Sequence, residues 1–134
     1  MDQTDKKILE ELCSNSRITM KELGEKVHLT APAAAARVNK LEDNGVIQGY
    51  SIKVNQAKLG CFTYAFINIY IEGTHHKPYL SFIQTKEGYV INNYKISGDG
   101  CYLLECRFPG NEELNQFLLE LNNYANYKLS IVIN

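Results

Sequence analysis

Apolar positions in the first third of the chain recur at helical spacing. Ile8, Leu9 and Leu12 form one stripe, which predicts a helix from about Thr4 to Asn15, closed by Ser14-Asn15-Ser16. Thr19-Met20-Lys21-Glu22 has the form of a capping box, in which the Thr oxygen accepts a backbone N–H three residues on and the Glu reaches back. Leu23 and Val27 continue that helix on one face. It must be short, because Thr30 signals a second start and Pro32 is tolerated in a first turn. A third helix is expected from Ala33 to about Asp43, with Ala34, Val38 and Leu41 inward and Asn44-Gly45 as a left-handed stop. Ile47 to Val54 reads as β, broken at Gly49. Helix, helix, helix and a hairpin make the layout of a winged helix-turn-helix.

After Gln56 to Gly60, which reads as a linker, the period changes to two. Within Phe62 to Glu72, residues Thr63, Ala65, Ile67, Ile69 and Ile71 share one face. Phe62, Tyr64, Phe66 and Tyr70 share the other, interrupted by Asn68. An antiparallel sheet normally turns one polar face to water. A strand apolar on both faces is therefore expected to have helices on one side and a second sheet on the other. Lys77 to Thr85 reads as a short helix, and Val90 to Ser97 and Tyr102 to Phe108 as strands joined by Gly98-Asp99-Gly100. Asn111 is expected to cap a helix with Leu114, Phe117, Leu118 and Leu121 at i, i+3, i+4, i+7, and Lys128 to Ile133 closes the pattern as a strand. The order βαββαβ is ferredoxin-like, so the whole is an α+β chain: a winged helix-turn-helix over residues 1–55, a linker over 56–61 and a second domain over 62–134.

Composition changes this picture little. With 134 residues, two domains would each be small and dependent on a partner. The net charge of -1 argues against a nonspecific polyanion binder. Local distribution matters more, and from Arg17 to Lys53 six basic residues face four acidic ones. Cys13, Cys61, Cys101 and Cys106 have no CxxC spacing and are expected as buried, reduced thiols. The start Met1-Asp2-Gln3 has neither the basic nor the apolar part of a signal peptide, and no apolar run is long enough to span a membrane. A cytoplasmic protein is expected. His75 and His76 sit together in a loop with only His28 elsewhere, so no metal set is expected. No nucleophile motif, P-loop or paired catalytic carboxylates are seen, and neither catalytic residues nor a cofactor are expected.

The segments Thr19 to Val27, Thr30, Arg37-Val38-Asn39-Lys40-Leu41-Glu42 and Gly45-Val46-Ile47 together resemble the N-terminal domain of the Lrp/AsnC family, the leucine-responsive "feast/famine" regulators. Ile96-Ser97-Gly98-Asp99-Gly100-Cys101-Tyr102-Leu103-Leu104 resembles that family's RAM domain, which binds effectors. The resemblance implies a homodimer built through the RAM sheets, often assembled further to a tetramer or octamer. It also implies binding of double-stranded DNA by the third helix and regulation by a free amino acid between dimers. Two positions depart from the family pattern. Ala31-Pro32-Ala33-Ala34-Ala35-Ala36 stands where several polar residues are usual, and Cys101 where an acidic residue usually precedes Tyr-Leu-Leu.

The candidate DNA contacts are accordingly Thr19, Thr30, Pro32, Ala33, Ala36, Arg37 and Lys40. Arg37 and Lys40 lie one turn apart and could reach phosphate or a base edge, or simply form a solvated face paired with Glu42 or Asp43. Thr30 caps a helix whatever the function, and a helix start also offers N–H groups to phosphate. Ala33 and Ala36 offer methyl contacts to thymine or serve helicity alone. The candidate effector residues are Ser97, Gly98, Asp99, Gly100 and Cys101, though Gly98-Asp99-Gly100 is first of all a turn. The function expected is a homo-oligomeric transcription regulator. The alternatives are an architectural DNA-bending protein without effector and, on the resemblance of some haem-biosynthesis decarboxylases to this family, a tetrapyrrole enzyme. The second alternative needs a cationic, His-containing pocket, and Arg107 is the only arginine of the second half.

Overall fold

The computed structural model describes residues 1–133, and the chain divides into two compact units, Met1–Lys53 and Val54–Asn134. In the first unit α1 spans Gln3–Ser14, α2 Met20–Val27 and α3 Ala31–Asp43. Each helix begins at a side-chain cap: Asp2, Thr19 and Thr30 accept from the backbone N–H of Asp5, Glu22 and Ala33. Pro32 sits within the first turn of α3, where its missing N–H has no helical partner. Gly45, at φ 75°, ends α3, and the Val46 N–H donates back to the Leu41 carbonyl over 2.9 Å. The core joins Ile8 and Leu12 to Ile18, Leu23, Val27, Ala34, Val38 and Leu41.

The expected wing is not formed. Ile47 to Val54 pairs with no strand, and Ile52 is 82% exposed. The alternation is present, but the first arm is spent on the helix end: the Ile47 N–H also bonds the Leu41 carbonyl, over 3.1 Å. Only one arm then remains, and a strand without a partner has no ladder. Farther on, Gln56–Leu59 forms one 3₁₀ turn.

The second unit runs β1 (Thr63–Tyr70), α4 (Lys77–Gln84), β2 (Val90–Lys95), β3 (Tyr102–Phe108), α5 (Asn111–Leu121) and β4 (Asn126–Ile131). The sheet order is β2-β3-β1-β4, with every neighbour antiparallel. Thr63, Ala65, Ile67 and Ile69 are buried, with Tyr79, Phe82 and Ile83 of α4 and Leu114, Phe117, Leu118 and Leu121 of α5 in the core of this unit. Tyr64, Phe66 and Tyr70 on the opposite face are only half-buried, whereas Phe62 lies outside the strand and is 73% exposed. Two boundaries differ from expectation. Gly110, not Asn111, is the N-cap residue of α5, and Asn111 instead faces the Thr63 hydroxyl. β4 begins two residues early because its register opposite β1 pairs Asn126 with Tyr70.

The thiols also divide. All four are free, but Cys13 is exposed because α1 turns only Ile8 and Leu12 fully inward. Cys61 and Cys101 are half-buried. Burial pushes the Cys106 thiol up to about 12, which keeps it protonated and unreactive. No helix of the described residues is long and apolar enough to cross a membrane.

Candidate DNA-contact surface and effector turn

The connection between α2 and α3 is tight because three residues permit it. His28 adopts the left-handed conformation, φ 62°, at the end of α2. The Leu29 N–H then donates to the Gly24 carbonyl over 2.8 Å. A Cβ on Gly24 would stand 2.5 Å from the Leu29 carbonyl oxygen, so hydrogen at this position is what lets the turn sit on α2. Thr19 and Thr30 are both exposed at helix starts, where unpaired N–H groups and the positive dipole end suit a phosphate. The Thr19 box is closed in its own way: the hydroxyl donates to the Glu22 carboxylate over 3.1 Å while accepting the Glu22 N–H.

On α3, Ala34, Val38 and Leu41 are buried and Ala33 is half-buried. Pro32, Ala36, Asn39 and Lys40 are exposed, at i, i+4, i+7 and i+8 along one face. Asn39 was not among the residues expected from sequence, although its spacing from Pro32 marks it. Arg37 has a different environment from the expected one. Its guanidinium lies 2.7 Å from Asp2 Oδ2, 2.8 Å from Asp2 Oδ1 and 3.2 Å from Asp5 Oδ1, not against Glu42 or Asp43. The guanidinium and the Asp5 N–H hold the Asp2 carboxyl below its ordinary range, and the two carboxylates raise Arg37 further.

A carboxyl with a lowered folded value binds its proton more readily in the unfolded chain. The stability that Asp2 contributes is therefore complete above its unfolded value and disappears as pH falls through the folded one. Asp2→Asn keeps a capping side chain and loses the charge. The wild type is expected to melt above Asp2→Asn at pH 7, and the gap to persist to about pH 4 and close only as pH falls further, through the lowered folded value. Thermal unfolding of the two proteins across pH reads this; a gap that widens on acidification contradicts it.

In the second unit the expected effector residues make a turn whose carboxylate is already engaged. Gly98 and Gly100 have φ of 133° and 101°, a region that favours glycine. The Tyr70 hydroxyl donates to Asp99 Oδ1 over 2.5 Å, Lys128 Nζ stands 3.5 Å from Oδ2, and Asn68 Nδ2 donates to the Asp99 carbonyl over 2.9 Å. The Tyr70 hydroxyl, then Lys128, holds the Asp99 carboxyl below its ordinary range. The backbone N–H of Gly100 is spent on the Gly98 carbonyl and that of Cys101 on the Ile69 carbonyl. Lys128, not those N–H groups, is thus the cation beside this turn, and neither it nor Asn68 nor Tyr70 was anticipated. Asn68 and Lys128 face one another in the β1–β4 register, which sequence does not state. Ser97 is exposed, while the Cys101 thiol packs on the core and points to the Ile71 carbonyl. His76 is held between the Tyr102 hydroxyl and the Gly73 carbonyl, and among the described residues no group of His, Cys, Asp and Glu is placed to hold a metal.

Residues 1–48 match the family described as winged helix-turn-helix DNA-binding, and residues 64–134 the Lrp/AsnC ligand binding domain. The chain is 70% identical over 133 residues to the HTH-type transcriptional regulator LrpA of Bacillus subtilis, covering 99% of this chain and 98% of the relative. The solved structure of B. subtilis LrpC superposes with a TM-score of 0.89 at 31% identity, over 100% of this chain and 95% of that one. A transcriptional regulator of Neisseria meningitidis in complex with L-Met superposes with a TM-score of 0.89 at 26% identity, over 100% of this chain and 90% of that one.

Proposed function

The chain belongs to the Lrp/AsnC family of HTH-type transcriptional regulators, and from that premise we propose that it binds double-stranded DNA through α3 as a homo-oligomer whose second unit answers to a free amino acid. The observation that carries this reading is the exposed row of α3 behind its Thr30 cap. Thr19, Thr30 and Lys40 supply phosphate contacts, and Pro32, Ala33 and Ala36 enter the major groove with the helix. The half-buried Tyr64, Phe66 and Tyr70 face of the sheet is covered by a second copy, because a monomer rarely leaves such a patch to water. A two-fold dimer reads half-sites about one helical turn apart or a multiple of it.

Selection of bound fragments from genomic DNA, with and without pooled amino acids, tests the reading. One set of sites enriched under both conditions, with occupancy changed by amino acids, is the expected outcome. Enrichment of flexible sequence without a shared half-site, indifferent to amino acids, favours the architectural alternative, for which the alanines of α3 speak. A folded monomer at micromolar concentration in light scattering overturns the assembly.

The effector turn carries a prediction of its own. An incoming ammonium competes with Tyr70 and Lys128 for Asp99, and Cys101 supplies no second charge, so most amino acids should bind weakly. Whichever does bind is expected to need Asp99. At one hundred times its dissociation constant a ligand adds about 2.7 kcal/mol of stability. Thermal shift with the twenty amino acids at millimolar concentration should show few hits, each lost in Asp99→Asn. Strong shifts that survive the substitution would place the ligand elsewhere.

A further inference from the structure

We propose that Asn39 is the residue of α3 that reads a base, at an A·T pair, and that Arg37 is a clamp between α1 and α3 rather than a DNA contact. This rests on the DNA-binding reading above and names how that surface discriminates. The one guanidinium on the face of α3 toward α1 is shared by two carboxylates at 2.7 and 3.2 Å. A phosphate taking Arg37 would have to approach Asp2, whose side chain is 56% exposed, and would meet an uncompensated negative charge there. The outward row is different in kind. Pro32 and Ala36 present only carbon and Lys40 only donors, whereas Asn39 presents a donor and an acceptor together on an exposed side chain.

That pair of groups matches the N6 donor and N7 acceptor of adenine in the major groove, and no other base offers the same bidentate fit. Ala36 lies three residues earlier on the same exposed face, about 4.5 Å along the axis at 1.5 Å per residue. Successive bases on a strand are roughly 3.4 Å apart, so the Ala36 methyl falls on a neighbouring pair, where the thymine methyl is its natural contact. Lys40, next to Asn39 in the chain, is left for phosphate. The chemistry therefore selects two adjacent A·T pairs per half-site, with a hydrogen-bonded reading at one and a methyl contact at the other.

The test uses the full chain. Sites are selected from random duplexes with the wild type. Binding is then titrated on the selected site and on versions with G·C placed at each position in turn, across several salt concentrations. The wild type is expected to lose about tenfold or more in affinity at one A·T position per half-site. Asn39→Ala should erase that difference while keeping the melting temperature and the salt slope. Arg37→Ala should keep the base preference and the salt slope and lower the melting temperature. Arg37→Gln, which keeps a donor toward the carboxylates, repeats this arm if the alanine variant melts below assay temperature. Retention of the A·T preference by Asn39→Ala overturns the assignment of Asn39. A salt slope smaller by about one in an Arg37 variant restores Arg37 as a phosphate contact and overturns the clamp. A wild type that selects no site at all overturns the DNA reading itself, and this inference with it.

Discussion

Gly24→Ala is expected to destabilise the first unit by about 2 kcal/mol and to weaken DNA binding tenfold or more. Two effects oppose each other. Alanine in place of glycine inside a helix favours that helix by about 1 kcal/mol. The new Cβ, however, would stand 2.5 Å from the Leu29 oxygen and 3.2 Å from the Thr30 carbonyl. Overpacking costs roughly 1–3 kcal/mol when side chains can give way. Here the obstacles are backbone, held by the bond from Leu29 to the Gly24 carbonyl and by the Thr30 cap. The upper part of that range, and beyond it, should therefore outweigh the gain in helicity. Relief requires α3 to move away from α2, which displaces the whole exposed row of Pro32, Ala36, Asn39 and Lys40 at once. Thermal unfolding and a DNA titration at fixed salt check both parts. A variant that melts higher than the wild type and binds as well would show that the turn is looser than described.

Phe117→Ala is expected to cost the second unit roughly 3–5 kcal/mol, the range for a large aromatic removed from a core. Phe117 is 1% exposed and packs against Phe82 at 5.6 Å and Phe108 at 5.3 Å between ring centroids. Its removal takes contacts from α4, α5 and β3 together, and little nearby can collapse into the space. The loss is a large part of the 5–15 kcal/mol that holds an ordinary domain together. Leu119, two residues away on the same helix, is 69% exposed, and Leu119→Ala should stay within about 0.5 kcal/mol of the wild type. Urea titration followed by tyrosine fluorescence compares the two midpoints. Equal midpoints would mean that α5 does not face the sheet as described. Because β2 and β3 carry the two ends of the Gly98 to Gly100 turn, and β3 packs on Phe117 through Phe108, the Phe117 variant should also lose any amino-acid response.

How far the candidate site was legible depends on the distance over which each feature is decided. The capped starts of α2 and α3 lie in neighbouring residues, Thr19 with Glu22 and Thr30 with Ala33, so they can be read from order alone. The inward stripe of α3 is equally local, and its complement, had it been drawn through Pro32 and Ala36, would have included Asn39. Arg37 could not be read in this way, because its partner Asp2 is 35 residues earlier and is brought near only when α1 packs on α3. The same holds for Asp99, whose partners come from β1 and β4.

The sequence by itself determined the helices, the caps of α2 and α3, the two-residue period of β1 and the glycine turn, because each follows from the period of a regular backbone or from the chemistry and conformational range of neighbouring residues. The tertiary structure decided the rest. It left Ile47 to Val54 without a ladder, since β propensity does nothing without a partner to bond. It placed β4 by its register against β1, moved the α5 cap to Gly110, exposed Cys13 and made Gly24 indispensable through a carbonyl five residues away. It also turned Arg37 from an exposed cation into half of an ion pair. Each depends on groups brought together by the packed backbone rather than on the order of neighbouring residue types, and its energy exists only once packing has set the separation.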